Sequence, residues 1–477
     1  MIDYFSNPFY KVAHTFGDFY RNMSRFVEAE QMYKQALAGR EKALGPNHKS
    51  TLTTVNDLGL LYCNLGQLKE AERMYRQALA GREKVLGPNH TSTLTTVSNL
   101  GLLYCDLGQL KDAERMYKQA LAGYENALGP NHILTLTTLN KLGQLYRDLG
   151  QLKEAERMYK QALDGYEKAL GPNHTSTLTT VNNLGMLYHD LGQLKEAERM
   201  YEWALAGREK ALGPNHTSTL TTVNGLGLLY RNLGWFKEAE RIAYEQALAG
   251  YEKALGPNHT LTLTAVHNLG QLYHNLGQLE GAERMYGWAL AGREKALGPN
   301  HTSTLTTVNN LGQLYHNLGQ LEEAERMYEQ ALAGYEKALG PNHTLTLTTV
   351  NSLGLLYSDL GQLEEAERMY ERALAGFEKA LGPNHTSTLT AVNNLGQLYH
   401  NLGQLEQAQK AYEQALAGRE KTLGPNHTST LTTVSSLRLL YCDLGQLEEA
   451  ERMYEWALTG IAKAFGPKHS VHIHSVG

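Results

Sequence analysis

The chain repeats one unit of 42 residues eleven times, and this repetition limits the folds that it can adopt. Each unit closes on Gly-Pro-Asn-His, as at 340–343, except that the last reads Gly466-Pro467-Lys468-His469. Nine of the ten intervals between these markers are 42 residues long, and the tenth, across Ala243, is 43. A period between about 20 and 50 residues is typical of a solenoid, in which each unit packs against its neighbours in sequence.

The repetition predicts one elongated domain. We assign residues 1–9 to a short N-terminal extension, residues 10–469 to a continuous solenoid and residues 470–477 to a C-terminal tail. Eleven of the 12 prolines lie in the markers, so no proline-rich linker divides the array. The units span approximately residues 10–51, 52–93, 94–135, 136–177, 178–219, 220–262, 263–304, 305–346, 347–388, 389–430 and 431–469.

Each unit carries two apolar stripes with helical spacing. In the unit used here as the type example, apolar residues recur every three or four positions from Leu305 to Leu318 and again from Leu321 to Leu339. These stripes predict helix A and a longer helix B, which the short connection must pack antiparallel. We expect an all-α fold in which each helix B covers the next helix A. Positions are counted below from Leu305 as position 1.

Polar and small residues mark the ends of these helices. Hydroxyl groups of residues 302–304 are N-cap candidates for helix A, and Gly319 and Gly340 are candidates for the left-handed conformation that ends a helix. Gly334 lies inside helix B, where glycine costs about 1 kcal/mol relative to alanine. Because glycine recurs there in every unit, we expect close helix approach or a kink at this position.

Composition argues against several classes of partner. The net charge is −5 and the isoelectric point is near 6.4, so no basic surface for nucleic acid is expected. No run of about 18 apolar residues occurs, so no membrane insertion is expected. Residues 1–5 lack the pattern of a signal peptide, and Cys63, Cys105 and Cys442 form no paired framework. We therefore expect a cytoplasmic protein.

The sequence predicts no enzymatic activity, no cofactor and no metal site. Of 19 histidines, 11 belong to the markers, where we expect them to hydrogen-bond within the turn. His274 and His316 lie one repeat apart, and helices spaced about 8–10 Å apart rarely place two ligands about 2.0–2.1 Å from one zinc ion. The chain contains neither a Gly-x-x-x-x-Gly-Lys-Ser/Thr phosphate loop nor a nucleophile triad in a recognised context.

Several positions of the unit resemble the tetratricopeptide repeat (TPR). They are Leu311-Gly312 at positions 7 and 8, Tyr315 at 11, Ala324 at 20, Tyr328 at 24, Ala331 at 27 and a proline near the end. The 42-residue length, with stretches such as 308–315 and 338–343, resembles the kinesin light chain class. That resemblance implies a right-handed superhelical solenoid of about 11 antiparallel hairpins, whose concave wall of helices A binds extended peptides. By the same analogy, a kinesin heavy chain is a candidate partner.

Long arrays of nearly identical 42-residue units also resemble the C-terminal sensor arms of fungal-type nucleotide-binding signalling proteins (STAND or NLR-like). This second resemblance implies an ATPase domain as partner. The ATPase would lie elsewhere, because this chain has no phosphate loop.

The resemblance also indicates where a ligand would bind, since positions 2, 5, 9, 12 and 13 of helix A line the concave wall of TPR proteins. Amide side chains there can donate to and accept from an extended peptide backbone, while the variable residues at 9 and 12 could set side-chain preference. The alternative is that these positions drift after duplication without a function. The candidate groove residues are Asn56, Asn140, Asn182, Asn224, Asn309, Asn351 and Asn393 at position 5, Gln144, Gln271, Gln313 and Gln397 at position 9, and Arg147, His189, Arg231, His274, His316 and His400 at position 12.

The charge at position 18 divides the array in two. A block duplication explains this switch without a function, whereas a charge asymmetry along the chain favours head-to-tail self-association. The position holds Lys69, Lys111, Lys153, Lys195 and Lys237, followed by Glu280, Glu322, Glu364, Glu406 and Glu448.

Three functional hypotheses follow from these patterns. The first is a protein- or peptide-binding TPR scaffold, similar to kinesin light chain, that acts through the groove of helices A. The second is a detached sensor arm of a nucleotide-binding immune-type protein. The third is a structural repeat protein that assembles with itself end to end.

Overall fold

The computed structural model describes residues 9–465, except for the side chains at 9, 241, 243–245, 464 and 465, and all regular structure within that part is helical. Eleven helix hairpins, numbered here as repeats 1–11, follow one another along the chain. The helices A are α1 (Phe9–Asn22), α3 (Lys49–Asn64), α5 (Thr91–Asp106), α7 (Ile133–Asp148), α9 (Thr175–Asp190), α11 (Thr217–Asn232), α14 (Thr260–Asn275), α16 (Thr302–Asn317), α18 (Thr344–Asp359), α20 (Thr386–Asn401) and α22 (Thr428–Asp443).

The helices B are longer, as the apolar stripes predict. They are α2 (Phe26–Leu44), α4 (Leu68–Leu86), α6 (Leu110–Leu128), α8 (Leu152–Leu170), α10 (Leu194–Leu212), α15 (Leu279–Leu297), α17 (Leu321–Ala338), α19 (Leu363–Leu381), α21 (Leu405–Leu423) and α23 (Leu447–Phe465), and repeat 6 has α12 (Phe236–Glu240) and α13 (Ala249–Leu255) on either side of a π-helix. Helix B packs against the helix A before it and the helix A after it. The predicted tail 470–477 and residues 1–8 of the predicted extension lie outside the described residues.

Helix A is capped by the marker histidine, not by the hydroxyl residues that the sequence suggested. The extended backbone of His301 lets its Nδ1 accept a hydrogen bond from the amide of Ser303 at 3.1 Å, so α16 already begins at Thr302. Thr304 instead donates its hydroxyl to the carbonyl of Gly298 at 2.9 Å. The hydroxyl caps were therefore a wrong prediction, whereas the predicted hydrogen bond of the marker histidine is confirmed.

Two glycines let the helices of a hairpin approach. A Cβ on Gly334 would lie 2.4 Å from Leu305, and a Cβ on Gly312 would lie 2.8 Å from the ring of Tyr328. Tyr328 is fully buried at 0% exposure, a burial that typically contributes about 1.5–3 kcal/mol for a large apolar side chain. Close helix approach, as predicted for position 30, thus explains its glycine.

Two further kinds of contact join neighbouring repeats. The hydroxyl of Tyr315 at position 11 donates to Glu283 on the preceding helix B at 3.0 Å. At position 31, the buried Arg293 guanidinium donates to the carbonyl of Ser303 at 2.8 Å and to the hydroxyl of Thr307 at 2.7 Å. Tyr335 at the same position instead hydrogen-bonds to Thr306 on the helix A of its own repeat. Position 31 therefore stabilises the interface between repeats where it holds arginine, a role that sequence inspection missed.

The 43-residue interval is accommodated inside helix B of repeat 6. Residues Arg241–Leu248 form a π-helix, whose wider turns take up the one extra residue. The repeat markers on both sides therefore keep their place, and the array continues through the insertion.

Successive turns of the superhelix touch each other, with repeats 1–5 lying against repeats 7–11. His259 Nε2 lies 3.4 Å from the carbonyl oxygen of Asn22, and the hydroxyls of Ser24 and Thr260 are 3.2 Å apart. A Cβ on Gly108 would lie 2.7 Å from the ring of His343. The same contact recurs for Gly66 with His301, Gly150 with His385 and Gly192 with His427. We call this contact the seam: the turn between helices A and B of repeat n meets the marker histidine that starts repeat n + 6.

Across residues 9–465, no helix combines the length and the apolar composition needed to cross a bilayer.

Candidate functional site

The predicted asparagine row at position 5 forms a ladder between neighbouring helices A. Asn309 and Asn393 accept hydrogen bonds from Thr349 and Thr433 of the next repeat at 3.0 and 3.1 Å. The remaining members lie in the same row, partly or fully buried. Asn56, Asn224 and Asn351 accept from an amide of the next repeat, Asn140 donates to Thr180, and the Oδ1 atoms of Asn140 and Asn182 are buried without a hydrogen-bond partner among the described residues.

The position 12 row makes a second ladder, in which five side chains contact position 13 of the following repeat, whereas Arg231 donates to Asn232 of its own repeat. His316 Nε2 lies 2.8 Å from Asp359, and Arg147 Nε lies 3.2 Å from Asp190. His400 contacts Asp443 in the same way, and His189 and His274 contact Asn232 and Asn317 at 2.6 Å. Burial lowers the pKa of His274 and of Arg231. Position 12 is therefore coupled to position 13 of the next repeat, and the role of its side chains in ligand binding stays a prediction.

Position 9 alternates between polar contacts and exposed apolar side chains. Gln313 donates to Asn317 at 3.0 Å and accepts from the Tyr328 hydroxyl at 3.3 Å. The same two contacts are made by Gln144 and Gln397, and Gln271 is half-buried. In other repeats the position holds leucine, of which Leu102 and Leu355 are each 38% exposed. These leucines are free to contact a ligand.

The seam closes part of the inner wall into a cavity of about 960 Å³. Five successive repeats contribute side chains from positions 12 and 13, and the second turn contributes its marker histidines. From the first turn these include Arg21, Cys63, Cys105, Arg147, Asn22, Asn64, Asp106, Asp148 and Asp190, and from the second His259, His301, His343 and His385. A smaller cavity of about 360 Å³ continues past Arg147 and His189 towards repeat 11.

Burial shifts the pKa values of the seam histidines and of the inner aspartates. Burial lowers the pKa of His301 and His343 to about 4. Burial raises the pKa of Asp106 to about 6, although its side chain remains accessible from the cavity. Burial also raises the pKa of Cys63 and Cys105 to about 12, so both thiols stay protonated near neutral pH and are poor nucleophiles.

The structure therefore brings only part of the predicted groove to the cavity. Arg147 and His189 line it or its continuation, whereas the asparagine and glutamine rows lie outside the cavity linings. Sequence inspection named position 13 as part of the wall but selected no residue from it. A comparison of units would have shown that every unit has either aspartate or asparagine there. The seam has no local signal, because it joins residues about six repeats apart.

One group of possible metal ligands occurs among the described residues. His14, Asp18 and Asp57 each offer a ligand atom, and these atoms lie within 4.8 Å of one another. The Arg40 guanidinium lies 3.4 Å from His14 Nδ1. This fixed cation disfavours a metal ion at the cluster.

With this geometry established, the family can be assigned from comparison with known sequences. A tetratricopeptide repeat model matches the chain in overlapping segments: residues 10–84, 50–126, 92–168, 134–210, 176–243, 241–295, 289–337, 303–379, 345–421 and 387–463. The chain belongs to the tetratricopeptide repeat family. No match was found among curated protein sequences.

Solved structures similar to this TPR protein include two repeat proteins related to kinesin light chain. The first is the "putative kinesin light chain nearly identical TPR-like repeats" of Podosopora anserina, with 28% identity, 43% of this chain and 97% of that chain covered, and a TM-score of 0.36. The second is BtubC (BKLC) from P. vanneervenii, which is 23% identical. The match covers 52% of this chain and 93% of that chain, with a TM-score of 0.38. A Rap protein complexed with competence and sporulation factor shares the fold and is 16% identical; the match covers 78% of this chain and 98% of that chain, with a TM-score of 0.54.

Proposed function

We propose that this protein is a non-catalytic scaffold that binds an extended segment of a partner protein along the inner wall of its helices A. The observation that carries the proposal is the cavity of about 960 Å³, to which five successive repeats contribute side chains. Its lining mixes polar groups with leucines such as Leu68 and Leu110. Such a lining suits a peptide, whose backbone amides and carbonyls need polar partners while its side chains need pockets. We place this activity in the cytoplasm.

The charges in the cavity favour a partner segment that carries lysine or arginine. Arg147 pairs with Asp190 at 3.2 Å, but among residues 9–465 no cation pairs with the carboxylate of Asp106. Desolvation alone raises the pKa of Asp106. A cationic side chain beside Asp106 would favour its ionised form and would form a charge-assisted hydrogen bond.

The same side chains support a binding role over a catalytic one. The thiols of Cys63 and Cys105 hydrogen-bond with Tyr75 and Tyr117. Their raised pKa opposes formation of the thiolate that nucleophilic catalysis requires.

Selection from a library of random 12-residue peptides, followed by fluorescence anisotropy of the enriched peptides, tests the proposal. We expect enriched peptides to carry lysine or arginine and to bind Asp106→Asn at least about tenfold more weakly, since a charged hydrogen bond contributes about 1.5–3 kcal/mol. Glu329→Gln, on the exposed outer side of a helix B, is the charge-matched control and should bind like the wild type. Equal affinity of all three proteins would contradict the role of Asp106, and failure to enrich any peptide would contradict peptide binding.

The same peptides decide whether the predicted asparagine row belongs to the binding site. If Asn309, Asn351 and Asn393 contact the ligand, replacing all three by alanine weakens binding even where thermal unfolding shows that the repeats remain folded. If they act only in the ladder between helices, the substitution lowers the unfolding midpoint and leaves the affinity unchanged.

A further inference from the structure

Half of the surfaces of the kind that form the seam have no partner among residues 9–465. Repeats 1–5 use the turns between their helices, and repeats 7–11 use their marker histidines. The opposite edges remain open. A Cβ on Gly361 or Gly403, in the turns of repeats 9 and 10, would meet no atom within 4 Å. His132 and His174, which start repeats 4 and 5, are exposed.

The open edges have the same backbone geometry as the edges that already pair. Gly403 has a φ of +72°, and Gly150 in the closed seam has a φ of +69°. His174 caps its helix in the same conformation as His385, with φ and ψ of −71° and 145° against −72° and 146°. The open edges therefore present a preformed copy of each side of the seam.

Charge makes the open edges more complementary than the closed ones. In the closed seam, Lys195 at position 18 and Lys463 at position 33 line one cavity of about 790 Å³ together with Glu196 and Glu198, so Lys195 offsets part of the negative charge on the side opposite Lys463. On the open turns position 18 is glutamate, as in Glu364 and Glu406, while the open marker edge still carries lysine at position 33, as in Lys168 and Lys210. Opposite charges would therefore face each other across a seam between two molecules.

We infer that a second copy of this chain docks on the open edge and continues the superhelix. The turns of repeats 7–11 of one molecule take up the marker histidines of the next, with the six-repeat offset of the internal seam. If the second copy continues the count as repeats 12–22, Glu364 faces the second copy's Lys168 and Glu406 faces the second copy's Lys210. The contact is head to tail, so each docked copy offers a new open edge, and filaments can grow. Several equivalent contacts form at once, so the association between two copies is stronger than any single contact would give.

Charge reversal with residues that other repeats of the chain already have at the same position tests this inference. We expect wild-type protein at low ionic strength to form species in sedimentation velocity that grow with concentration. The Glu364→Lys/Glu406→Lys variant should associate about tenfold or more weakly, because two attractive pairs become repulsive. Lysine occupies position 18 in repeats 2–6, so this change is compatible with folding.

A matched control changes the same number of charges away from the edge. Glu329→Lys/Glu371→Lys places lysine at position 25, where Lys118 and Lys160 already occur, and should associate like the wild type. Lys168→Glu/Lys210→Glu should also associate poorly alone, and mixing it with the Glu364→Lys/Glu406→Lys variant should restore mixed oligomers. A wild type that stays monomeric at every concentration, equal weakening by the control, or no recovery on mixing would overturn the inference.

Discussion

At the scale of single residues, the glycine at position 8 is kept by packing and not by backbone conformation. A Cβ on Gly354 would lie 2.8 Å from the ring of Tyr370, whereas a Cβ on Gly287, also inside a helix, would meet nothing within 4 Å. We predict that Gly354→Ala destabilises the protein by about 1–3 kcal/mol through overpacking, and that the control Gly287→Ala stabilises it by about 1 kcal/mol. Guanidinium unfolding of both variants measures the difference, and two shifts of the same sign would contradict this account.

The last repeat already carries a substitution of this kind. Position 8 is Arg438 there, and the tyrosine that would fill the recess, Tyr454, is 36% exposed, compared with 2% for Tyr370. No following helix A covers Tyr454 among the described residues, so its exposure has a second cause besides Arg438.

At the scale of the secondary-structure element, the extra residue of repeat 6 should be dispensable. The π-helix Arg241–Leu248 interrupts what is a continuous 19-residue helix B in most other repeats. We predict that deletion of Ala243 restores an uninterrupted α-helix and stabilises repeat 6 by about 1–2 kcal/mol, within the usual range of single changes. Hydrogen exchange across residues 236–255 should slow in the deletion variant, and deletion of Ala247 from the same helix, which removes a fully buried side chain, should quicken it. Faster exchange after deletion of Ala243 would contradict the prediction.

The elements themselves could be predicted from sequence because their signals are local. Apolar periodicity gives both helices, and Gly319 and Gly340 have the positive φ that the sequence predicts, +73° and +93°. The cap of helix A was missed because statistics favour hydroxyl and Asx side chains, whereas the imidazole of His301 reaches the same amide. The π-helix was missed because an insertion in sequence does not show how the backbone absorbs it.

At the scale of the whole molecule, prediction from sequence fails for a different reason. The rows at positions 5 and 12 were found because the TPR resemblance places them on one wall. Whether their side chains are free depends on neighbours one repeat away, such as Thr349 for Asn309. The seam depends on the superhelical rise over six repeats, which sums small rotations that no single unit encodes.

The seam should open in acid, because its histidines must be neutral to close it. Nδ1 of His343 accepts a hydrogen bond from Leu345, and the ring also hydrogen-bonds the main chain of Asp106, so only the neutral ring satisfies both contacts. Burial lowers the pKa of His343 to about 4 from an ordinary 6.5. The closed form is therefore fully favoured above about pH 6.5, and that contribution is lost as the pH falls from 6.5 towards 4. We predict that the radius of gyration in small-angle X-ray scattering increases over this interval.

Matched variants distinguish opening of the seam in acid from acid unfolding of the whole protein. Asparagine is a good N-cap and does not titrate, so His301→Asn/His343→Asn/His385→Asn should keep helix A while it reduces the acid expansion. The same three changes at the exposed His90, His132 and His174 should leave the expansion intact. Protonation of Asp106, whose pKa burial raises to about 6, acts in the opposite sense and favours the closed form. Burial also raises the pKa of Asp148 in the same cavity. Because burial lowers the pKa of all five seam histidines, we expect their charging to dominate, and a molecule that contracts below pH 6 would contradict this prediction.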